Sequence, residues 1–454
     1  MPRIKRSSLP PGPRGRLLPT IHLLRDPLKH FAKWAARYGD PFTVVSPSGY
    51  LIETWDPESV RALFTANHDA FAVFGPETIE PLIGARSVLL LVGQEHRRER
   101  RLLGPPFHGA RMRAYGEAMV ETTRAAIAGL SPGDRLVGME LTQSISLEII
   151  IRTVFGVASA ADVDVHKATI LAAIESASPL VFFFPWLRHE FGGIGPYARL
   201  KAAQDRFIAL LRRQIAAVRP RAAEREDILS MMLEARYDDG APMSDAAIVD
   251  ELRTLLLAGH ETTALSLAWA LDLVHRDRAV YERLVAELDA LGPAPSAEAI
   301  AAAPFLEAVC QETLRLYPIV LEVMRTLTQP LTLAGRVLPA GATVAVNILL
   351  AHRRPEAYPD PELFRPQRFL ERTFSPFEFM PFGGGPRRCV GAAFALFEMK
   401  LVLATILREL ELELELQGPP TPVRRNLTMA PKGGVRMRVR RRRGASARGA
   451  AVAP

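Results

Sequence analysis

The sequence contains few cysteines and no long apolar run, and each shortage excludes a class of protein. Its 454 residues include only two cysteines, Cys310 and Cys389, whose separation suggests no disulfide framework. Two cysteines also fall short of the roughly four thiolates that hold an iron–sulfur cluster. No stretch approaches the roughly 20 apolar residues of a membrane-spanning helix, and no apolar signal-peptide core precedes residue 20. We therefore expect a cytoplasmic protein without a membrane anchor.

The composition shows no break that would divide the chain into two domains. Hydrophobic residues make up 48% of the sequence, which is ample for a large core, and the formal net charge is +8. We expect one main domain over residues 21–439, a Pro/Arg-rich lead over 1–20 and a basic tail over 440–454. The arginines of this tail are typical of a solvated, disordered end rather than of a nucleic-acid-binding surface.

The second cysteine lies in residues 382–391, which read F-G-G-G-P-R-R-C-V-G. Residues 392–410 have helical apolar spacing without Gly or Pro, so Cys389 is expected just before the start of a helix. Unpaired N–H groups and the positive end of the helix dipole favour a thiolate there, and such a thiolate suits an axial ligand of haem iron. An inert, packed cysteine is the alternative. A phosphate-binding loop is a poor interpretation because no Lys-Ser or Lys-Thr follows the glycines.

The longest predicted helix begins after Ser244 and ends near Arg276, and its middle has an unusual composition. Residues 258–263, A-G-H-E-T-T, place a glycine and two threonines in the helix interior. Glycine alone costs about 1 kcal/mol there relative to alanine, and such a local conflict indicates a functional site. Ala258 and Thr262 share one helical face, and Glu261 can relay protons. A helix kink without chemistry is the alternative.

Two further sets of charged residues have helical spacing. His96 and Arg100 are four residues apart within a run of charges, and the fork of an arginine pairs well with a carboxylate. Glu312 and Arg315 are three residues apart on a predicted helix, and Arg368 is a candidate third member of that set. Taken alone, each set is also typical of a solvated helix face.

These stretches together resemble the cytochrome P450 family and follow one another in that family's order. The haem-ligand pattern F-x-x-G-x-R-x-C-x-G is matched at every fixed position by Phe382, Gly385, Arg387, Cys389 and Gly391. Residues 258–263 match the oxygen-activation pattern, and 312–315 match the Glu-x-x-Arg pattern. Residues 366–369 resemble the Pro-x-Arg-Phe element, and 96–100 resemble the Trp/His-x-x-x-Arg element. The resemblance spans roughly residues 20–439.

The resemblance implies a fold, a cofactor and a set of site residues. The fold is mainly α-helical, a triangular prism with small β-sheets at one corner. The cofactor is haem b, with the thiolate of Cys389 as its iron ligand. Residues implied to bind the cofactor are His96, Arg100, Arg325, Phe382, Gly385, Arg387 and Gly391. Residues implied to act in catalysis are Ala258, Glu261 and Thr262, and the implied structural ion pairs join Glu312, Arg315 and Arg368.

A substrate pocket is also implied. Its candidate residues are Phe71, Phe74, Val88, Leu89, Leu255, Val320, Leu321, Val323 and Met429. The segment 71–91 is expected to form a flexible lid, and the aromatic cluster at 182–186 lines either the pocket or the core. Glu322 is unusual in an apolar run, and it either faces solvent or touches a polar group of the substrate.

The implied function is that of a monooxygenase that uses O₂ and two externally supplied electrons to hydroxylate or epoxidise a hydrophobic small molecule. Fatty acids, terpenoids, steroids and polyketides are the substrate classes considered. Peroxide-driven oxidation or isomerisation at the same haem and non-catalytic haem sensing are alternatives, which the pair Glu261–Thr262 disfavours. We expect a monomer that binds no nucleic acid and receives electrons from a separate ferredoxin and its reductase. Arg97, Arg98 and Arg101, together with Arg388 beside the cysteine, are expected to form a basic surface for the ferredoxin.

Overall fold

The structure is a computed structural model that describes residues 6–46, 49–107, 109, 111–177, 188–416, 418–425 and 427–443. Its backbone contacts divide the chain into two compact units. The first unit comprises Met1–Phe74, Thr123–Thr142 and Thr262–Pro454, and the second comprises Gly75–Thr122 and Gln143–Glu261. The aromatic cluster at 182–186 and the tail at 444–454 lie outside the described residues.

Helices dominate the described chain. In chain order they are α1 (Leu17–Arg25), α2 (Pro27–Tyr38), α3 (Pro57–Thr65), α4 (Pro76–Ile83), α5 (Gly93–Leu103), α6 (Arg111–Ile127), α7 (Gly138–Thr153), α8 (Ala160–Glu175), α9 (Pro196–Val218), α10 (Ile228–Glu234), α11 (Asp245–Arg276), α12 (Arg278–Ala290), α13 (Ala297–Ala301), α14 (Pro304–Leu316), α15 (Ile348–Ala351), α16 (Arg368–Glu371) and α17 (Ala392–Glu409). Among the helices of the described ranges, none is both long and apolar enough to cross a membrane.

The named strands of the described chain all belong to the first unit. They are β1 (Phe42–Ser46), β2 (Gly49–Thr54), β3 (Phe71–Ala72), β4 (Arg135–Val137), β5 (Glu322–Leu327), β6 (Leu331–Leu333), β7 (Arg336–Leu338), β8 (Thr343–Asn347), β9 (Leu410–Leu414), β10 (Pro422–Arg425), β11 (Thr428–Pro431) and β12 (Arg436–Arg442). The largest sheet has the order β1-β2-β8-β5-β3, in which only β2 and β8 are parallel. The smaller sheets are β4-β12-β9, β6-β7 and β10-β11.

Helix caps set several of these bounds. The carboxylate of Asp26 accepts a hydrogen bond from the backbone N–H of Lys29 at 3.0 Å, and α2 begins at the proline between them. The hydroxyl of Ser244 accepts a bond from the N–H of Ala247 at 3.2 Å, so α11 begins where the sequence predicts. Helix α17 also has the predicted bounds to within one residue.

The core of the first unit is built on the largest sheet. One cluster packs against α3, and its members include Ile52, Leu63, Phe64, Val344 and Met380. A second cluster packs against α1 and α2, and its members include Leu23, Phe31, Trp34, Phe42, Leu321 and Met429. These clusters fix α3 and the strands on which the cysteine-bearing loop rests.

The folded chain extends past the predicted boundary at residue 439, because β12 continues to Arg442. Arg442 pairs with Leu410 of β9, and its guanidinium donates to the carbonyl oxygens of Ile127, Ala128 and Leu130 at 2.9–3.1 Å. These carbonyls lie at the C-terminal end of α6, where helical partners are missing. The first arginines of the basic tail are therefore structural, which the composition alone did not indicate.

Candidate active site

The loop 382–391 is closed by its own backbone. The N–H of Cys389 donates to the carbonyl oxygen of Phe382 at 2.9 Å, and the N–H of Arg388 donates to that of Gly385 at 3.0 Å. Gly391 is the N-cap of α17, so the cysteine precedes the helix as expected. The side chain of Cys389 is exposed. An accessible thiol next to a helix N-terminus is placed to act as a thiolate.

Two glycines of this loop are required by α3. A Cβ on Gly384 would lie 2.2 Å from the ring of Phe64, and one on Gly385 would lie 2.2 Å from the carbonyl oxygen of Phe64. Gly385 also has a φ of +64°, which disfavours any residue with a side chain. The sequence of the loop does not reveal that α3 lies against it, so this requirement for glycine was not predictable.

A buried arginine lies beside the same loop. The guanidinium of Arg325, on β5, donates to the carbonyl oxygen of Gly384 at 3.1 Å and lies over the rings of Phe64 and Phe71. Burial, and then the charge of Arg387, lowers the pKa of Arg325 to about 10. In the part of the chain that the structure describes, Arg325 pairs with no carboxylate. A buried cation without a counter-ion is costly, so this position fits the carboxylates of an anionic cofactor such as haem.

A cavity of about 470 Å³ adjoins the loop within the first unit. Aromatic side chains form much of its wall, and the glycines of the loop and Arg388 complete it. Cys389 does not line this cavity.

Glu312, Arg315 and Arg368 form a buried ion network in the first unit. Both oxygens of Glu312 accept from Arg315, at 2.6 and 2.9 Å, and Arg368 donates to one of them at 3.0 Å. Arg315 also donates to the carbonyl oxygens of His352 and Pro361 at 2.9 and 2.8 Å. The side chains are at most 3% exposed, so the network is shielded from water and ties α14 to the segment that leads to α16.

The middle of α11 has two distinct faces. A Cβ on Gly259 would lie 3.1 Å from Ile150, and the Nε2 of His260 lies 3.1 Å from the carbonyl oxygen of Gln143. Burial lowers the pKa of His260 to about 4, so the imidazole is neutral and packs on α7. Ala258 is exposed, and Glu261 and Thr262 are half-buried. Gly259 thus allows α11 to pack on α7. The residues predicted to be catalytic retain some exposure to solvent.

His96 is buried and Arg100 half-buried on α5, four residues apart. The neighbouring arginines differ from expectation. Arg98 pairs with Asp239 at 2.7 Å, and Arg101 pairs with Asp238. These exposed acids partly neutralise the basic surface that the sequence predicts. The pairing was not predictable, because Asp238 and Asp239 lie far from the arginines in sequence.

The predicted pocket residues occupy different environments. Val320 is 37% exposed, Leu89 is 43% exposed, and Phe74, Leu255 and Val323 are half-buried. Phe71 and Val88 are buried. Leu321 and Met429 are buried as well.

Leu321 and Met429 are core residues. Both belong to the cluster that packs on α1 and α2. The carbonyl oxygen of Met429 accepts from the indole of Trp269 at 3.2 Å, and its N–H donates to Ile319 at 3.0 Å. Strands β10 and β11 form a hairpin at this point, and the side chain of Met429 lies in the core cluster.

Glu322 does not face solvent. It is 7% exposed, and Arg424 lies 3.6 Å from one of its oxygens. Glu53 is fully buried beside it and accepts from the amide of Asn347 at 3.1 Å. Burial, and then the neighbouring Glu322, raises the pKa of Glu53 well above its usual value. The raised pKa favours the protonated form of the Glu53 carboxyl group inside the largest sheet.

Polar residues of α11 hold the segment 81–88 in the second unit. Asp250 accepts from the backbone N–H of Arg86 at 3.1 Å, and Glu251 accepts from that of Val88 at 2.6 Å. The hydroxyl of Thr254 donates to that of Ser87 at 2.7 Å. This part of the expected flexible lid is thus hydrogen-bonded to α11. The sequence around residues 81–88 did not indicate these bonds.

The variant Glu251→Gln is expected to flatten the pH dependence of stability. Burial, and then the charges of Glu99 and Asp250, raises the pKa of Glu251 from 4.5 to about 9. The native state therefore binds this proton more tightly than the unfolded state, so the associated stability is complete below about pH 4.5 and is lost as pH rises towards about 9. Between about pH 5 and 8, wild type should lose on the order of 3 kcal/mol more than the variant, which keeps the acceptor for Val88.

Urea unfolding followed by circular dichroism at both pH values measures this difference. Glu80→Gln, on an exposed position of α4, is the matched control and should follow the wild-type profile. Identical pH profiles for wild type and Glu251→Gln would contradict the prediction.

Comparison with known sequences gives a consistent result. The sequence pattern described as "Cytochrome P450" matches residues 10–437. The Mycobacterium tuberculosis protein "Putative cytochrome P450 135B1" is 36% identical, over 98% of this chain and 94% of that protein. "Putative cytochrome P450 138" of the same organism is 34% identical, over 96% of this chain and 97% of its own length.

Solved structures agree with the sequence comparisons. The retinoic acid-bound cyanobacterial CYP120A1 superposes with a TM-score of 0.82 at 26% identity, covering 95% of this chain and 99% of that one. The haem domain of cytochrome P450DA superposes with a TM-score of 0.84 at 24% identity, covering 96% and 98%. The predicted fold and haem-thiolate cofactor are thereby confirmed. This chain belongs to the cytochrome P450 family and is a haem-thiolate monooxygenase.

Proposed function

We propose that this enzyme hydroxylates or epoxidises a hydrophobic small molecule with two electrons from a separate ferredoxin and its reductase. In hydroxylation, a substrate C–H bond, O₂, two electrons and two protons give an alcohol and water. The loop 382–391 carries this proposal, since it presents the accessible Cys389 beside the buried Arg325. A thiolate and a cation in this arrangement suit the iron and the carboxylates of haem.

Cys389 is proposed as the iron ligand. Cys310 is fully buried in α14, and burial raises the pKa of its thiol to about 12, which disfavours the thiolate. Haem bound at Cys389 supplies the iron centre that activates O₂. The backbone bond from Cys389 to Phe382 and the turn at Gly385 hold the sulfur in position, so the loop has little freedom to lose when haem binds.

Arginines are proposed to hold the haem carboxylates. Arg325 and Arg387 lie close enough for the charge of one to lower the pKa of the other, and an anionic group would relieve that repulsion. His96 and Arg100 are proposed to bind a propionate on the strength of their spacing on α5. Gly391 is proposed to let the start of α17 approach the ring.

Glu261 and Thr262 are proposed to conduct the protons that O₂ reduction consumes. Both are half-buried, so Glu261 can exchange protons with water while Thr262 offers a hydroxyl that donates and accepts. The carbonyl of Thr262 accepts from the hydroxyl of Ser266 at 2.9 Å, an arrangement that often bends a helix. Ala258, one turn earlier, is proposed to leave room for O₂ because its side chain is a single methyl group.

The variant Thr262→Ala is expected to bind substrate but to waste electrons. Without the hydroxyl, one site of the proton path is lost, so O₂ is reduced to hydrogen peroxide in place of substrate oxidation. We expect product formed per NADH consumed to fall roughly tenfold, because loss of a positioned proton donor slows the productive route. Thr262→Ser, which keeps the hydroxyl, is the control and should retain most of the coupling. An unchanged ratio in the alanine variant would exclude this role.

The substrate is proposed to be an apolar molecule with few polar groups. Phe74, Leu255, Val320 and Val323 are apolar, and each retains some solvent exposure. The similar cyanobacterial structure contains retinoic acid, an apolar chain with one carboxylate, which supports the same class here. Fatty acids and terpenoids combine such a chain with at most a small polar end, and steroids and polyketides remain within the proposed range.

The ferredoxin is proposed to dock where the cavity beside the loop opens. Arg388 lines this cavity, and the guanidinium of Arg61 lies over the ring of Phe377, another lining residue, at 4.8 Å. These cations would attract an acidic protein, and the attraction would weaken as salt screens exposed charges. We propose this docking surface in place of the one at Arg98 and Arg101, because those two arginines pair with aspartates.

Reconstitution of the holoenzyme tests the function. A ferredoxin, its reductase and NADH are supplied with ¹⁸O₂ and a panel containing dodecanoic acid, retinoic acid, a monoterpene and a steroid. We expect a substrate-induced spectral shift with at least one compound, and one ¹⁸O atom in its product. Turnover with hydrogen peroxide but not with the electron donors would favour a peroxide-driven enzyme. Haem binding without turnover in either system would favour a sensor.

A further inference from the structure

Helix α1 exposes large apolar side chains to solvent. Leu17, Leu18, Ile21 and Leu24 are 74%, 67%, 41% and 48% exposed. At 100° per residue these positions lie on one face, while Leu23 and Pro19 on the other side of the helix are buried. A contiguous apolar face of this kind on a protein surface marks an interaction site, whereas isolated exposed residues need no explanation.

Basic residues are frequent in the exposed part of the chain before, within and after α1. Between residues 11 and 38 the exposed charges are the cations Arg14, Arg16, Arg25, Lys29, Lys33 and Arg37 and one acid, Asp26. Helix α1 packs on α2, which carries three of the cations, and on β10. Leu427, in the turn of the hairpin that β10 begins, is also 58% exposed. The exposed apolar side chains of α1 and Leu427 therefore occur together with an excess of exposed cations on α1, on the segment before it and on the neighbouring α2.

We propose that this α1 surface, defined by Leu17, Leu18, Ile21 and Leu24 with the six cations above, docks on the headgroup region of an anionic lipid bilayer. The four apolar side chains would enter the boundary between headgroups and acyl chains, and the cations would meet lipid phosphates. The helix would lie in the membrane plane, because its nine residues span only about 14 Å against roughly 30 Å of hydrocarbon. The proposal does not rest on the substrate or on the electron donor.

Charge favours a lipid surface over a second copy of this chain. If two copies met through the α1 surface, six cations and one acid from each would face the same set, and like charges at close range repel. An anionic bilayer instead offers many mobile negative groups that can collect beneath the cations. The apolar and the charged parts of the surface are then satisfied by one partner.

Flotation of the holoprotein with vesicles tests the proposal. Vesicles of phosphatidylcholine with phosphatidylglycerol are compared with vesicles of phosphatidylcholine alone, at low and high salt. We expect the protein to float with the anionic vesicles, and binding to fall at least roughly tenfold in high salt or on neutral vesicles. The variant Leu17→Ser/Leu18→Ser/Ile21→Ser/Leu24→Ser should lose binding to a similar extent, and Arg14→Glu/Arg16→Glu should weaken it.

A matched control distinguishes binding through the α1 surface from non-specific binding of exposed apolar side chains to vesicles. Val337→Ser/Leu363→Ser changes two side chains that are 67% and 59% exposed elsewhere, and it should bind like wild type. The carbonyl-complex spectrum of each variant reports that haem and fold are intact, because none of these residues lies in the cysteine loop.

Three outcomes would overturn the proposal. The first is wild-type protein that does not float with anionic vesicles at low salt. The second is a serine variant that floats as well as wild type. The third is a dimer in sedimentation velocity that the serine variant loses while neither protein floats, which would assign the α1 surface to a second copy.

Discussion

The variant Cys389→Ser is expected to lose both the red-shifted Soret band of the reduced carbonyl complex and monooxygenase activity. Serine keeps the size of the side chain, but its hydroxyl does not ionise near neutral pH and cannot donate charge to iron as a thiolate does. The loop should keep its shape, because the bond from residue 389 to Phe382 comes from the backbone. Difference spectra of the dithionite-reduced, carbon monoxide-treated protein measure the effect.

Cys310→Ala is the matched control for this experiment. Cys310 is fully buried and is the other cysteine of the chain, so the control removes one thiol and leaves Cys389 in place. We expect the control to keep the red-shifted band, even if the small cavity it creates lowers stability by about 1 kcal/mol. A serine variant that retains the band would refute the assignment of Cys389, and loss of the band in the control alone would assign the ligand to Cys310.

The variant Glu312→Ala is expected to have the largest effect on stability. Removal of the carboxylate leaves Arg315 and Arg368 buried without their counter-ion, and breaking such a buried set costs roughly 3–5 kcal/mol. The carbonyl oxygens that Arg315 contacts cannot replace the lost charge. We expect little folded holoprotein, a lower midpoint of urea unfolding and weaker retention of haem.

An exposed ion pair provides the comparison for Glu312. Arg278 and Glu282 have side chains that are 86% and 57% exposed, so Arg278→Ala should change stability by less than about 1 kcal/mol. Unfolding of the variants is followed by circular dichroism, which reports on helices whether or not haem is bound. A Glu312→Ala protein as stable as Arg278→Ala would show that the network is dispensable.

Features that depend on short stretches of sequence were predictable. The bounds of α11 and α17 follow from a Ser N-cap and from an uninterrupted apolar pattern after the cysteine. The charges Glu312 and Arg315 are three residues apart on one helix, and Arg368 belongs to a recognisable short element. For these residues the local pattern already contains most of the geometry, so the structure adds distances and burial.

Features that depend on distant partners were not predictable. A side chain at position 384 or 385 would clash with Phe64, which lies on a helix far earlier in the chain. Glu251 accepts from the N–H of Val88, and Glu322 helps to raise the pKa of Glu53, although neither pair is close in sequence. A single sequence contains no direct information on such long-range pairings. It also does not distinguish a buried carboxyl group from an exposed one.

The sheet β4-β12-β9 has a consequence for biosynthesis. Val137 of β4 pairs with Arg436 of β12, and the chain between them contains α7 to α17. A ribosome releases residues in order, so β4 leaves the exit tunnel long before its partner has been made. Until β12 is translated, the edge of β4 and the end of α6 stay open to chaperones or to wrong partners. The native pairing of β4 therefore has to wait for the synthesis of β12, and closing so long a loop is intrinsically slow.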